Sequence, residues 1–263
     1  MTGRRWLLAF ALAFCIGSAT QADAQREPGG RGQSQGKGTH QAGQFDYYLL
    51  ALSWSPTYCA SLQQPRRDDQ QCAPRSGRRF AFVLHGLWPQ YERGWPQDCS
   101  TADGGFVPRP VAQKMLDIMP SERLVFHQYR KHGTCSGLGI DGYFALARKL
   151  YEKIAIPKRY VDVADPRMFV SPSELVQDFI AANPDLKPET IAVVCDGPGN
   201  RLREVRICFD KAGTLRACSR SIDQRRLCSA DRMYVPPVRE GAPGAAPPPK
   251  PGDRRGPPDQ RTL

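Results

Sequence analysis

Residues 80–90 read FAFVLHGLWPQ, an apolar run of strand length followed by a histidine. The run from Phe80 to Leu84 is typical of a short buried strand. Gly86 and Pro89 follow closely, and both residue types interrupt regular structure. We therefore expect His85 to stand at the terminus of a strand.

The segments around this run predict a mixed fold. Three others have the apolar and aromatic composition of strands: Phe45 to Trp54, Ile191 to Cys195 and Val205 to Phe209. Helical periodicity and capping residues predict four helices: Pro110 to Met119, Ser121 to His132, Asp141 to Ile154 and Ser173 to Ala182. Because strands and helices are mixed without a regular βαβ alternation, we expect an α+β fold rather than a doubly wound sheet.

A second informative stretch, HQYRKHGTC at residues 127–135, closes one of these predicted helices. Residues four positions apart are neighbours on a helix surface. Two adjacent pairs of this kind occur here: His127 with Lys131, and Gln128 with His132. One helix face should therefore present two imidazoles, an ammonium group and an amide together.

The N-terminal 24 residues have the layout of a secretory signal peptide. Two arginines precede eleven apolar residues, Trp6 to Ile16, and Ala22-Asp23-Ala24 forms a small-x-small cleavage site. A transmembrane anchor is disfavoured because about 20 apolar residues are needed to cross a bilayer. We expect residues 1–24 to be removed on export, which places the mature protein in the periplasm or outside the cell.

The rest of the chain divides into a core and two low-complexity segments. Residues 25–43 are rich in Gly, Gln, Arg and Ser, which is typical of a flexible leader, and we expect His40 to be a solvated linker histidine. From Pro236 to Leu263, nine of 28 residues are proline, and such a tail buries too little apolar surface to fold. We expect one folded domain from Gln44 to Val235, with a disordered tail at 236–263.

The cysteines fit an exported protein. Cys15 lies in the signal segment, and an even number remains, which predicts four disulfide bonds. There is no C-x-x-C spacing, and His132 is the one histidine within three residues of a cysteine, so a zinc site is not expected. The residues alone leave the pairing of these eight open: Cys59, Cys72, Cys99, Cys135, Cys195, Cys208, Cys218 and Cys228.

The net charge and the histidines together indicate which type of reaction the protein catalyses. The formal net charge of +11, of which +6 lies between residues 44 and 235, favours a polyanionic partner. Outside the leader there are three histidines, His85, His127 and His132, in two short segments beside Lys131. Two imidazoles can transfer protons near neutral pH while a cation offsets charge on a phosphorane. RNA, unlike DNA, supplies its own nucleophile in the 2′-hydroxyl, so we expect RNA cleavage.

These residues resemble the motifs of the ribonuclease T2 family, in a bacterial, exported form. The first motif is matched by FVLHGLWP at residues 82–89, and the second by residues 127–135 with KHGTC intact. The stretch SWSPTYC at residues 53–59 is similar to the family's first strand and first cysteine. The resemblance spans about Gln44 to Cys228. It implies a central antiparallel sheet with several helices, held by disulfides.

The resemblance also implies residue roles. His132 would be the general base on the 2′-hydroxyl and His85 the general acid for the 5′-oxygen. His127 and Lys131 would bind phosphate and stabilise the transition state, and no metal or other cofactor would be needed. The product would be a 2′,3′-cyclic phosphate, hydrolysed slowly or not at all to a 3′-phosphate. Trp88 is a candidate for stacking on a base, the alternative being a tryptophan that fills the junction between strand and loop.

Two further points follow from the resemblance. The implied disulfide pairs are Cys59–Cys72, Cys99–Cys135, Cys195–Cys228 and Cys208–Cys218. The family usually has glutamate directly after the first histidine of the second motif, where this chain has Gln128. An amide can hydrogen-bond but cannot accept a proton as a carboxylate does. We expect a working enzyme with a lower pH optimum.

The expected partner is an RNA substrate, and the expected state is a monomer without a membrane anchor after signal removal. Two alternatives remain at this point. One is a secreted basic RNA-binding protein with reduced or lost catalysis. The other is an interaction protein whose disulfide-bonded core displays the basic, proline-rich tail to polyanions of the cell envelope.

Overall fold

A computed structural model describes residues 40–62, 69–72 and 77–238 of the chain. The expected signal peptide, 1–24, lies outside these residues, as do the first part of the expected leader and residues 239–263 of the expected tail. Within the described ranges no helix is long and apolar enough to cross a membrane.

A mixed sheet forms the centre of the fold. In the described residues its strands are β1 Tyr47–Trp54, β2 Phe82–Gln90, β3 Phe169–Val170, β4 Ile191–Asp196, β5 Arg201–Phe209 and β6 Met233–Tyr234. Their order is β2-β1-β5-β6-β3, with β4 also paired to β5. All pairings are antiparallel except the short contact of β5 with β6. The α+β prediction is confirmed.

Helices cover the sheet. Those in the described residues are α1 Ser55–Ser61, α2 Asp69–Cys72, α3 Arg109–Gln113, α4 Glu122–Lys131, α5 Gly139–Glu152, α6 Pro172–Ala182 and α7 Gln224–Leu227. Short 3-10 turns occur at Gly133–Ser136, Lys158–Tyr160 and Pro188–Thr190. Ser121 caps α4 by accepting from the backbone N–H of Leu124, and Ser171 caps α6 in a capping box with Glu174.

Strand β1 runs between β2 and β5, and side chains on both of its faces are buried. On one face Leu50, Leu52 and Trp54 join the main core, to which α4, α5 and α6 contribute apolar side chains. On the other face Tyr47 and Leu49 form a smaller cluster with Cys208 of β5. The sheet therefore has one face closed by helices and one that is only partly covered, which leaves room for a site.

The prediction that His85 ends a strand is wrong. Strand β2 begins at Phe82, two residues later than expected, and continues through His85 to Gln90. Proline is tolerated at position 89 because β2 lies at the edge of the sheet order, where a missing N–H donor breaks no ladder. The Gly and Pro that indicated the end of a strand lie inside it.

Strand β2 instead contains a β-bulge at His85. Gly86 faces Ala51 of β1 and Leu84 faces Leu52, so that His85 is the extra residue between these pairs. A bulge shifts the inward–outward alternation of a strand by one residue. Leu84 and Leu87 consequently both lie in the main core, although three positions separate them.

Other boundaries differ from the predictions. The helix expected from Pro110 to Met119 is helical only to Gln113 and continues as turns. The folded part extends beyond 44–235 at both ends. Gly43 donates its backbone N–H to the carbonyl of Cys135, and the N–H of Val238 donates to Val163 at 2.7 Å. His40 is not a free linker residue, because its Nδ1 lies 3.2 Å from the hydroxyl of Tyr91.

Four disulfides brace the sheet and its loops. They join Cys59 to Cys72, Cys99 to Cys135, Cys195 to Cys228 and Cys208 to Cys218. These are the four pairs that the family resemblance implied. Such bonds persist in oxidising compartments.

Gly133 lies two residues after the last residue of α4, in a tightly packed region. A Cβ there would lie 2.5 Å from Cδ2 of Tyr129 and 2.9 Å from the ring of Tyr143, both of which are fully buried. We expect Gly133→Ala to lower the free energy of unfolding by about 1–3 kcal/mol, because neither ring has space to move. Urea denaturation followed by fluorescence measures it.

The matched control is Gly142→Ala within α5, where the nearest atom to a new Cβ is Leu138 Cβ at 3.1 Å. Its change should be smaller, because alanine is the better helix former and a shift of a few tenths of an ångström relieves the single close contact. Equal midpoints for Gly133→Ala and the parent protein would contradict the packing described here.

Candidate active site

A cleft of about 310 Å³ opens between β2 and α4. It contains the histidines and the lysine that the sequence pointed to, brought together from two distant segments. Its lining residues are Leu49, His85, Trp88, Gln90, Trp95, His127, Gln128, Lys131, His132, Arg206, Ser221 and Ile222. No aspartate or glutamate is among them.

The bulge in β2 determines which side chains reach the cleft. Because it shifts the alternation, His85 and Trp88 lie on the cleft side while Leu84 and Leu87 remain in the main core. The imidazole of His85 and the indole of Trp88 contact each other edge to face, with ring centres 5.1 Å apart. A regular strand would have sent residues 84 and 86 to the same face.

Helix α4 presents its end to the same cleft. Val125 and Tyr129 anchor the helix in the main core, which turns His127 and Lys131 towards the cleft. Gln128 and His132 are also part of its wall but are almost fully buried. The expected face of two imidazoles, an ammonium group and an amide is therefore present. Cations in the last turn also complement the negative end of the helix dipole.

Burial sets the state of His132, which is 7% exposed. Burial first, and then the charges of Lys131, His85 and His127, lower the pKa of this imidazole from 6.5 to about 3. The ring is therefore neutral at physiological pH. Its Nδ1 is buried without a hydrogen-bond partner, so Nε2 is the nitrogen through which the ring can reach a substrate.

His127 is the more open of the two imidazoles on α4. Partial burial, followed by the charges of Lys131 and Arg130, lowers its pKa as well. His127 and Lys131 thus lie side by side at the mouth of the cleft, and an anion bound there would relieve their mutual repulsion. This arrangement suits a phosphate group.

The environment of His85 is the opposite of that of His132. Its Nδ1 lies 2.7 Å from Oε1 of Glu204, and Oε2 of that carboxylate accepts from Nε of Arg206 at 2.7 Å. Burial alone would raise the pKa of Glu204, but the hydrogen bond and charge of His85, together with Arg206, outweigh it and lower the pKa. Glu204 is therefore ionised.

Sequence reasoning missed Glu204 and Arg206. Both lie on β5, whose sequence RLREVRICF alternates between polar and apolar residues. Period two places Glu204 and Arg206 on one face and Val205 and Ile207 on the other, in the main core. The alternation was visible in the sequence, but nothing in it showed that this face adjoins His85 across β1.

Trp88 connects the two halves of the cleft. Its indole N–H donates to Oε1 of Gln128 at 2.7 Å, and its ring centre lies 5.2 Å from that of His132. The guanidinium of Arg206 also approaches the ring, at 5.5 Å from the centre. The indole therefore contacts His85, His132 and Gln128, three of the residues predicted for the site.

Gly86 makes the contact between Trp88 and Gln128 possible. A Cβ at position 86 would overlap Oε1 of Gln128 and lie 2.5 Å from Nε1 of Trp88. Gln128 itself is 2% exposed, and an amide is less costly to bury there than a carboxylate. Burial therefore gives a structural reason for an amide at this position, whereas the hydrogen bond from Trp88 could equally be accepted by a carboxylate.

Metal-ligating side chains are not grouped in the described part of the chain. No set of three or more His, Cys, Asp or Glu side chains that could hold a metal ion occurs in residues 40–62, 69–72 and 77–238.

Trp95 is a further residue of the cleft that the sequence did not single out. It lines the cleft and is 51% exposed.

Comparison with known proteins identifies the family of the chain. A family model described as the ribonuclease T2 family matches residues 45–218. A ribonuclease of Aeromonas hydrophila is 37% identical over 209 residues, which cover 74% of this chain and 85% of that protein. Ribonuclease 1 of Arabidopsis thaliana is 30% identical over 194 residues, covering 65% of this chain and 78% of its own length.

Solved structures show the same fold at lower identity. An RNase-related protein from Calystegia sepium superposes with a TM-score of 0.56 at 22% identity, over 76% of this chain and all of its own. A mutant of RNase MC1, a ribonuclease from bitter gourd seeds, in complex with 5′-GMP gives 0.55 at 23%, over 72% of this chain and 100% of its own. With the motif residues gathered in one cleft and the family model matching most of the folded part, the chain belongs to the ribonuclease T2 family.

Proposed function

We propose that this protein is an endoribonuclease that cleaves single-stranded RNA without a metal ion, through a 2′,3′-cyclic phosphate, to 3′-phosphate ends. The observation that carries the proposal is the placement of His85 and His132 on two different elements of one cleft, beside Lys131. Proton transfer at two positions around a phosphate requires this arrangement.

His132 acts as the general base. A base must be unprotonated before the reaction, and burial keeps this imidazole neutral. Its Nε2 takes the proton of the 2′-hydroxyl while O2′ attacks phosphorus. The imidazolium that forms is stabilised by the negative charge that develops on the phosphorane.

His85 acts as the general acid on the opposite side. Its Nε2–H protonates the 5′-oxygen as the bond from phosphorus to that oxygen breaks, so the leaving group departs as a neutral hydroxyl. Lys131 and His127 stabilise the non-bridging oxygens of the phosphorane, and preorganised charges of this kind contribute strongly to rate. Later hydrolysis of the cyclic ester uses the same groups in reverse roles.

Trp88 and Trp95 have different roles in the cleft. Trp88 is contacted by Arg206 and by the ring of His132, so it serves mainly as a wall that positions the catalytic groups. Trp95 is more exposed in the same cleft, and we assign it the stacking on a base. Base–aromatic stacking is tolerant of sequence, which fits the cleavage of RNA of varied sequence.

The cellular setting follows from the covalent structure. Four disulfides in the described residues fit an oxidising compartment, which supports a periplasmic or secreted enzyme. We propose that the domain acts as a monomer, that residues 1–24 are removed, and that the tail beyond Val238 is dispensable for cleavage.

The first test is the product formed in the presence of EDTA. We expect the mature protein to release oligonucleotides with 2′,3′-cyclic phosphate ends from yeast RNA, because the attack uses the 2′-hydroxyl and no metal. Phosphorus NMR or mass spectrometry of the ends measures this. RNA binding without cleavage between about pH 4 and 8 would support the non-catalytic alternative, and cleavage abolished by EDTA would contradict metal independence.

A second test addresses the histidines. We expect His132→Ala and His85→Ala each to lower kcat on a dinucleotide at least about 100-fold, because each removes one proton-transfer group. His40→Ala is the matched control, since His40 lies outside the lining of the cleft, and it should leave kcat unchanged. Full activity in His132→Ala would refute its role as base.

A third test uses the pH dependence. Because the pKa of His132 is lowered to about 3, kcat/KM should not fall between pH 6.5 and about 4, whereas a base with an ordinary imidazole pKa would lose activity there. Bound phosphate favours the imidazolium, so kcat should decline at a higher pH than kcat/KM. A tenfold fall of kcat/KM per pH unit starting near 6.5 would contradict a desolvated His132.

A further inference from the structure

We propose that Glu204 is a positioning residue that holds Nδ1–H of His85 and thereby directs Nε2 into the cleft, from which the imidazolium protonates the leaving 5′-oxygen. This inference rests on the proposed function of the cleft. It concerns a residue outside the two sequence motifs, on a strand that does not itself carry a catalytic histidine.

The geometry places Glu204 behind His85. On β5, Glu204 pairs with Ser53 of β1, and β1 separates it from the bulge of β2. The carboxylate reaches across to Nδ1 of His85 at 2.7 Å. Its side chain is 6% exposed while that of His85 is 34% exposed, so the pair points from the protein interior towards the cleft.

The tautomer of His85 follows from this contact. An ionised carboxylate can only accept hydrogen bonds, so the hydrogen between the two residues is on Nδ1 of His85. Nε2 then carries a second hydrogen only when the ring is an imidazolium. The imidazolium, which carries a hydrogen on each ring nitrogen, is the form that donates a proton from Nε2.

Arg206 fixes the carboxylate from the other side. Its Nε donates to Oε2 of Glu204 at 2.7 Å, which leaves Oε1 directed at His85. The guanidinium also approaches the ring of Trp88, and so it is itself held in place. With both oxygens engaged, neither the carboxylate nor the imidazole can rotate freely, which is the preorganisation that proton transfer needs.

Glu204 supplies a carboxylate that the lining of the cleft lacks. The position after His127 carries the neutral Gln128, whose amide oxygen accepts from Trp88, and none of the described residues that line the cleft is acidic. The carboxylate that contacts a catalytic imidazole is therefore Glu204. Since it does not line the cleft, it acts on the reaction through His85 and not on the substrate directly.

The chemical step shows which substrates should be affected by a substitution of Glu204. As O2′ bonds to phosphorus, the bond from phosphorus to O5′ breaks and its electron pair moves to O5′. That oxygen takes the proton from Nε2 of His85, while Nδ1–H remains bound to Glu204. A leaving group that is stable as an anion, such as 4-nitrophenolate, does not need this proton.

The experiment compares two substrates of the complete mature protein. One is a dinucleotide such as UpA, and the other is uridine 3′-(4-nitrophenyl phosphate). We expect Glu204→Gln to lower kcat about 10- to 100-fold on the dinucleotide with little change in KM, and by less than about threefold on the nitrophenyl ester. His85→Ala should show the same selectivity, with a larger loss on the dinucleotide.

Two further variants keep the comparison decisive. Glu204→Asp draws the carboxylate back by one methylene and should show a smaller loss of the same selectivity, which replaces Glu204→Gln should that variant not fold. Asp196→Asn removes a carboxylate of the same sheet that pairs with Arg203 at 2.7 Å. This control should leave kcat unchanged on both substrates. Circular dichroism confirms that each variant is folded.

Equal losses on both substrates in the folded Glu204 variants, or no loss on either, would overturn the proposal while leaving the function of the cleft intact. Equal losses on both substrates in His85→Ala would show that His85 is not the acid, which overturns the proposal together with that step of the mechanism. Failure of the parent protein to cleave either substrate would refute the proposed function itself.

Discussion

One extra residue in an edge strand determines which side chains line this cleft. The bulge at His85 lets Leu84 and Leu87 pack into the main core while His85 and Trp88 face the opposite side of the sheet. Without the bulge, Leu84 and Leu87 could not both face the core while His85 and Trp88 both face the cleft. Helix α4 then needs only to bring its last turn against this side of the sheet for the two sets of groups to meet.

The two histidines His132 and His85 have contrasting environments. His132 is desolvated at the end of α4 and is neutral, whereas His85 faces a buried carboxylate. The proposed mechanism requires a base and an acid on opposite sides of a phosphate, and these two environments would suit one imidazole to each role. Lys131 contributes to both requirements, because its charge adds to the burial that lowers the pKa of His132 and also attracts the phosphate.

The sequence predicted which residues gather in the cleft better than it predicted the local backbone geometry. His127, Lys131 and His132 lie on one helix end as expected, because helical periodicity is a local property. The end of the strand at His85 was mispredicted, since Gly86 and Pro89 break most strands but are tolerated on a bulged edge strand. Glu204 was missed because its contact with His85 crosses an intervening strand, and no local pattern reports which strands become neighbours.

A crystal structure of the protein with a 2′-deoxy dinucleotide bound would test the central claim most directly, because this ligand lacks the attacking hydroxyl and remains intact. The phosphate should lie between the imidazoles of His85 and His132, within hydrogen-bond distance of Nε2 of His85 and of Nζ of Lys131, with O5′ on the side of His85. A phosphate bound outside the cleft, or one whose 5′-oxygen faces His132, would contradict the assignment of acid and base.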